Sequence, residues 1–181
     1  MAMNDVRIPV LVLGLGNVLC GDDGAGVIAV HRLRREWLVP SWVRIVDGGT
    51  LGLDLLALIA ASDRVILVDA VRTDQPPGTL VRLTGAEVGP AIHQRLSPHQ
   101  IGVADLLAGA ALCERYPREV VIIGVVPETI ELMLGCSAKV AERMDGLVAA
   151  VIDELGRLGA RPRRREQALA PHDQGARALG L

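Results

Sequence analysis

The sequence predicts an α/β protein with a doubly wound, mainly parallel sheet of about five strands and helices on both faces. Two observations lead to this prediction. Short, wholly apolar runs such as residues 10–13 and 65–68 are typical of strands that are covered on both faces. Between these runs the apolar residues recur at helical spacing. Strands that alternate with helices give right-handed crossovers, and therefore parallel strands.

The first strand leads into a glycine-rich loop. Residues 10–13 are followed by the sequence GLGNVLCGDDG at 14–24, whose glycines permit a tight turn. From Gly26 onward the apolar spacing is helical, so Asp22 or Asp23 is expected near the N-terminus of a helix. One aspartate at such a place commonly caps the helix, and two adjacent carboxylates are more than one cap requires.

A dinucleotide-binding loop is the familiar alternative for this pattern. The glycines run Gly14, Gly16 and Gly21, and Leu19 stands where the third glycine of the G-x-G-x-x-G motif should be. A pyrophosphate would also face two carboxylates, which repel it, whereas a cation would be attracted. The loop therefore favours a metal ion over a dinucleotide.

Composition limits the possible partners. The 181 residues suit one domain, which we assign to residues 1–160, followed by a mobile tail at 161–181. Phe is absent and the aromatic content is 2%, so the core is aliphatic and base stacking on nucleic acid is disfavoured. No apolar run approaches the roughly 20 residues of a membrane span, and the N-terminal residues show no signal-peptide pattern. We expect a cytoplasmic protein without nucleic-acid or membrane partners.

The cysteines give little chemistry. Cys20, Cys113 and Cys136 are far apart and form no C-x-x-C motif, so neither a disulfide framework nor a zinc ribbon is predicted. Cys20 lies in the first loop and could ligate a soft metal. Packing is the commoner role for a single cysteine, and we favour it.

Further elements follow in order. The sequence predicts strands at 42–46, 65–68 and 120–126, an additional strand near a sheet edge at 79–83, and a last helix along 140–158. Residues 84–96 give no clear signal. Ser97 and Gln100 form a capping box, so His99 is expected in the first turn of a helix.

Ligands of a doubly wound sheet bind at the carboxyl ends of its strands, where the strand order reverses. If the order is 2-1-3-4-5, the first and third strands bring Asp22 or Asp23 together with Asp69, and the helix that contains His99 could begin on the same side. Two carboxylates and an imidazole suit zinc, manganese or nickel. Each residue also has an ordinary structural role: a cap, an acceptor for loop amides, or a surface histidine. Asp47, which ends the second strand, is the rival carboxylate and ranks below Asp69.

No nucleophile is apparent. The serines lack a G-x-S-x-G elbow and no cysteine is visibly matched to a histidine. The catalytic residues are therefore left unassigned, and metal-assisted hydrolysis is the more plausible chemistry.

The order of motifs resembles one known family. LVLGLGNVLCGDDGAGV, DGGTLGLDLL, VILVDAV, PGTL, SPHQIGVADLLA and GVVPE, spread over residues 8–158, are similar to the hydrogenase maturation endopeptidases of nickel-iron hydrogenases. The resemblance implies an enzyme that removes a C-terminal extension from the hydrogenase large-subunit precursor after nickel has been inserted.

The resemblance also implies a ligand set. The family's metal-binding positions fall on Asp23, Asp69 and His99, and the nickel is supplied by the substrate, although another divalent metal could substitute in the free protein. The family often has glutamate where this chain has the shorter Asp23, so Asp22 is an alternative ligand. A non-catalytic nickel-delivery or chaperone protein is the second hypothesis, and a dinucleotide-binding module is the third.

Overall fold

A five-stranded sheet forms the centre of the protein, with its strands in the spatial order 43–49, 8–15, 62–70, 119–125 and 80–84. The computed structural model describes residues 7–89 and 103–169. The strands are β1 (Ile8–Leu15), β3 (Val43–Gly49), β4 (Ser62–Ala70), β5 (Leu80–Thr84) and β6 (Glu119–Val125). Neighbouring strands are parallel except that β5 pairs antiparallel with β6 at the sheet edge. The predicted fold class is therefore confirmed.

Helices and short strands complete the described parts of the chain. The helices are α1 (Ala25–Glu36), α2 (Leu56–Ala60), α3 (Val103–Leu112), α4 (Ala138–Ala141) and α5 (Met144–Arg157). The 3₁₀ turns are Gly21–Gly24, Gly52–Leu55 and Gly85–Glu87, and the short strands are β2 (Trp37–Leu38) and β7 (Arg163–Arg164). Within the described ranges, no helix is long and apolar enough to cross a membrane.

The strand order differs from the expected 2-1-3-4-5 at one end. Counting the sheet strands along the chain, the observed order is 2-1-3-5-4, because the strand at 80–84 returns antiparallel along the outer side of β6. The first three positions are as expected, so the order still reverses between β1 and β4. The switch point that positions the candidate site is thus unaffected.

Each face of the sheet carries its own aliphatic core. Along β1, Val10 and Val12 point to the core shared with α1 and α5, whereas Leu11 and Leu13 point to the core shared with α2 and α3. All four side chains are fully buried. A strand covered on both faces needs such a continuous apolar run, which is why the sequence identified it.

The start of the C-terminal segment is attached to the domain. Strand β7 pairs antiparallel with β2, the Arg165 N–H donates to the Glu36 carbonyl at 2.7 Å, and the Leu169 N–H donates to the Arg35 carbonyl at 3.0 Å. These hydrogen bonds connect the first part of the predicted tail, up to Leu169, to the C-terminal end of α1, and the mobility of residues 161–181 stays a prediction. Residues 170–181 lie outside the described residues.

A buried carboxylate links the sheet edge to α5. Glu154 is 1% exposed and accepts hydrogen bonds from Nε and Nη2 of Arg82 on β5, at 2.7 and 2.9 Å. Arg157 also donates to it. The hydrogen bonds from Arg82 hold the pKa of Glu154 below its usual value in spite of burial.

Candidate functional site

Two glycines allow the first loop and α1 to close tightly over the strand ends. At Gly16, where φ is +117°, a Cβ atom would lie 1.7 Å from the carbonyl oxygen of Asp23. At Gly26, a Cβ atom would lie 2.0 Å from the carbonyl oxygen of Val68. A side chain at either position would force these segments apart. The 3₁₀ turn that contains the two aspartates is thereby held against the carboxyl end of β4.

Asp22 is a buried anchor between two loops. Its side chain is fully buried, and its carboxylate accepts hydrogen bonds from the backbone N–H groups of Glu128, Thr129 and Ser137 at 2.7–3.1 Å. The Ser137 hydroxyl donates a further bond at 2.9 Å. Three of these bonds go to Oδ2 and one to Oδ1, and together with full burial they leave little capacity to bind a metal ion. The hypothesis that Asp22 shares the ligand role with Asp23 is therefore not supported.

Backbone hydrogen bonds join the same two loops. The Gly21 N–H donates to the Met133 carbonyl at 2.9 Å, the Asp22 N–H to the Thr129 carbonyl at 3.0 Å, and the Met133 N–H to the Leu19 carbonyl at 2.9 Å. Strand-like pairing of Cys20 with Met133 lies between these bonds. The loop after β1 and the segment that follows β6 consequently form one braced unit at the carboxyl edge of the sheet.

Asp23 is the half-buried member of the aspartate pair. Its Oδ2 accepts the Asn17 N–H at 2.6 Å, which fixes the carboxylate across the loop. The N-cap of α1 is Gly24, without a side-chain cap. Neither aspartate caps α1, because both lie in the 3₁₀ turn before it and Gly24 occupies the N-cap position.

Asp69 lies at the carboxyl end of β4, next to β1 in the sheet. It is 5% exposed, and its Oδ1 accepts the Ala70 N–H at 2.8 Å. Since the parallel strand β1 leads into the loop and 3₁₀ turn that carry Asp23, both carboxylates lie at the same edge of the sheet. This is the edge at which doubly wound proteins bind ligands.

Asp47 has a different partner. Its Oδ2 lies 2.7 Å from Nε2 of His31 on α1, and both side chains are partly exposed. Strand β3, which carries Asp47, pairs with β1 on the side away from β4. This position agrees with the lower rank of Asp47 among the candidate carboxylates. The pairing of Asp47 with His31 leaves no pattern in the sequence and was not predicted.

His99 lies outside the described residues, as do Ser97 and Gln100 of the capping box. Among the residues that the structure does describe, no group of three His, Cys, Asp or Glu side chains is arranged to hold a metal ion. The set Asp23, Asp69 and His99 accordingly stays a prediction. The arrangement described provides two carboxylates fixed by backbone N–H groups, a donor set that suits a divalent cation.

Cys136, which lies next to the Asp22 anchor, is not an activated thiol. All three cysteines are free, and Cys20 and Cys136 are partly buried. Burial, together with the negative charge of Asp22, raises the pKa of the Cys136 thiol. Because the nucleophilic form is the thiolate, a protonated Cys136 is a poor candidate for the attacking group.

Comparison with known proteins agrees with this geometry. The family model described as hydrogenase maturation protease matches residues 27–154. The hydrogenase 2 maturation protease of Escherichia coli strain K12 is 34% identical over 165 residues, which cover 91% of this chain and 99% of that protein. A hydrogenase expression/formation protein, HupD, from Thiocapsa roseopersicina is 36% identical, with 90% of this chain and 76% of that protein covered.

Solved structures show the same relationship. The hydrogenase maturating endopeptidase HybD from E. coli superimposes with a TM-score of 0.82 at 34% identity, covering 87% of this chain and 98% of that chain. A hydrogenase 2 maturation peptidase from a Thaumarchaeota archaeon gives a TM-score of 0.63 at 32% identity, covering 82% and 98%. The family match, the relatives and the shared fold together show that this chain belongs to the hydrogenase maturation proteases, a family of endopeptidases.

Proposed function

We propose that the protein removes the C-terminal extension of a nickel-iron hydrogenase large-subunit precursor after nickel insertion, a reaction that we place in the cytoplasm. The observation that carries this proposal is that Asp69 ends β4 while Asp23 lies in the 3₁₀ turn after the adjacent parallel strand β1, at the same carboxyl edge of the sheet. In this proposal the two carboxylates and His99 engage nickel that the substrate already holds.

The chemistry of the two carboxylates supports recognition of a substrate-held cation. Asp23 accepts the Asn17 N–H and Asp69 accepts the Ala70 N–H, so the orientation of both carboxylates is set before substrate arrives and less entropy is lost on binding. Carboxylate oxygens with one imidazole nitrogen form a mixed donor set that nickel accepts. Another divalent metal could take the same ligands in the free protein.

The direction of α3 supports a role for His99. This helix ends at Leu112, and six residues later the Arg118 N–H donates to the carbonyl of Asp63 at 2.8 Å, near the start of β4. The C-terminal end of α3 is thus on the amino edge of the sheet. A helix of 10 residues is about 15 Å long, so its N-terminal end faces the carboxyl edge, on which Asp23 and Asp69 lie.

The test is mass spectrometry of a purified large-subunit precursor incubated with a substoichiometric amount of the protein. We expect nickel-loaded precursor to lose a C-terminal peptide and nickel-free precursor to keep it. Asp69→Asn is the matched variant, because it keeps the size of the side chain but removes its charge. If the carboxylate recognises the metal, this variant should leave nickel-loaded precursor uncleaved. Unchanged mass of nickel-loaded precursor would contradict the proposed activity and favour a nickel-delivery protein. Equal cleavage of both precursors would contradict recognition through nickel.

A further inference from the structure

Five exposed apolar side chains lie beside the candidate site. They belong to the tip of the first loop and to the segment after β6, and we call them the apolar rim: Val18, Leu19, Leu132, Met133 and Leu134. Leu132 and Leu134 are 86% and 81% exposed. Apolar side chains scattered singly over a surface are ordinary, whereas a contiguous exposed group marks an interaction site.

Backbone hydrogen bonds join the two segments that carry the apolar rim. Met133 donates its N–H to the Leu19 carbonyl and accepts the Gly21 N–H at its own carbonyl, both at 2.9 Å. The buried carboxylate of Asp22 fixes the backbone on both sides of this contact, at Glu128 and at Ser137. The backbone of the rim is therefore held in place before any partner binds, so little conformational entropy of this backbone is lost on binding.

The rim is continuous with the candidate site. Val18 and Leu19 lie between Asn17 and Asp23 in the chain, and these two residues are joined by the 2.6 Å hydrogen bond across the loop. A polypeptide that places its metal against Asp23 must pass close to this loop. The rim is thus positioned to contact substrate residues near the metal rather than a distant part of the partner.

The size of the rim indicates a short segment as its occupant. A stable interface between two proteins takes roughly 20–30 residues from each side, and the rim supplies five side chains. A second copy of this chain would therefore need further surface. The exposed Glu131, next to Leu132, also disfavours an acidic segment.

We propose that the apolar rim binds an apolar, non-acidic segment of the hydrogenase large-subunit precursor close to the scissile bond. This inference rests on the proposed function and adds a determinant of substrate affinity to it. The rim supplies affinity, whereas the carboxylates recognise the metal. Loss of the rim consequently raises KM and the Kd for precursor but leaves kcat nearly unchanged, because the rim does not touch the reacting atoms.

The test compares the double variant Leu132→Ser/Leu134→Ser with Leu112→Ser. Leu112 is 86% exposed, like Leu132, but it ends α3 near the amino edge of the sheet. Precursor binding is measured by biolayer interferometry, cleavage by mass spectrometry, and the oligomeric state by analytical ultracentrifugation. For the double variant we expect Kd and KM to rise by about tenfold or more, which equals about 1.4 kcal/mol. Leu112→Ser should stay within about twofold of the parent.

The outcomes separate this inference from the proposed function. A parent that binds precursor through the rim without cleaving it would leave the docking surface standing and overturn the proposed activity. A parent that cleaves, together with a double variant of unchanged Kd and KM, would overturn the docking surface alone. A parent that is dimeric while the double variant is monomeric would assign the rim to a second copy of this chain, which also overturns the inference. A parent that neither binds nor cleaves would overturn both.

Discussion

At the scale of single residues, two adjacent aspartates divide structure and chemistry between them. Asp22 is fully buried and its carboxylate receives bonds from three backbone N–H groups and one hydroxyl. Asp23 is half-buried and receives the Asn17 N–H. A fully buried group that loses a hydrogen bond cannot replace it with a bond to water, so the loss is costly. The same substitution therefore has different consequences at the two positions.

We expect Asp22→Asn to lower the free energy of unfolding by about 2–4 kcal/mol, because an amide has one acceptor oxygen and places N–H donors against backbone N–H groups. Asp23→Asn should change the free energy of unfolding by less than about 1 kcal/mol and lower the processing rate by at least about tenfold. Urea denaturation and precursor cleavage measure the two effects. Equal destabilisation by both substitutions would show that Asp23 is a second structural anchor.

The histidine of the predicted ligand set is tested in the same way. His99→Ala should abolish processing with a loss of stability well under about 1 kcal/mol, because Ser97 and Gln100 form the predicted capping box and the imidazole is not required for capping. His93→Ala is the matched control, because His93 belongs to residues 84–96, for which no element is predicted, and a histidine there is by default in a solvent-facing loop. Thermal midpoints and cleavage rates are compared for both variants. Parental rates in both would remove His99 from the site, and unfolding of His99→Ala would refute the capping argument.

At the scale of secondary-structure elements, the edge strand β5 is attached to α5 through a buried ion pair. We expect Arg82→Met to lower the free energy of unfolding by about 2–4 kcal/mol near pH 7, because it leaves the Glu154 carboxylate buried with Arg157 as its remaining cation. Glu154→Met should cost less, since Arg82 is 39% exposed and can reach solvent. A larger loss for Glu154→Met would contradict this asymmetry.

The same pair predicts a pH dependence. Because the pKa of Glu154 is lowered in the folded state, its stabilising contribution is present above the unfolded value of about 4.3. The contribution disappears as the pH falls through the lower folded pKa. The difference in unfolding free energy between the parent and Arg82→Met should therefore be largest near neutral pH and decrease below about pH 4. Urea denaturation at several pH values measures it, and a constant difference would refute the charge contribution.

Sequence patterns predicted the elements whose apolar residues are periodic or continuous. The stripe of α5, including Leu147, Val151 and Leu155, is fully or nearly fully buried as expected. Thr84 and Glu87 form a capping box in the structure. Their spacing matches the capping-box pattern in the sequence, although no element was predicted for residues 84–96. The antiparallel return of β5 was not predictable in this way, because periodicity does not specify which neighbour an edge strand selects.

The functional edge was predictable in part for a related physical reason. Asp69 lies at the end of the apolar strand β4 and Asp23 in the loop after the apolar strand β1, so their edge of the sheet follows from topology alone. The anchoring role of Asp22 depends on Glu128, Thr129 and Ser137, which are 106, 107 and 115 residues away. Hydrogen bonds over such separations leave no local pattern in the sequence. The sequence therefore left Asp22 as an alternative metal ligand to Asp23.

At the scale of the whole molecule, the carboxyl and amino edges of the sheet differ in role. The carboxyl edge carries the candidate ligands and the apolar rim, whereas the amino edge carries the C-terminal end of α1 and the segment attached to it. There, β7 pairs with β2, and Glu36 forms ion pairs with Arg32, Arg35 and Arg164. The hydrogen bonds of Arg35 and Arg32 lower the pKa of Glu36 against the effect of burial.

This division predicts that removal of the C-terminal segment affects stability and leaves processing intact. Deleting residues 161–181 takes away β7 and the hydrogen bonds to Arg35 and Glu36, and we expect a loss of about 1–3 kcal/mol in the free energy of unfolding. Deleting residues 170–181 is the matched control and should change stability by less than about 0.5 kcal/mol. At a temperature where all three forms are folded, their cleavage rates should agree within about twofold, since the α1 C-terminus is one helix length, about 18 Å, from its N-terminal end at the site. A shortened protein that keeps its stability but no longer cleaves precursor would instead show that the C-terminal segment binds substrate.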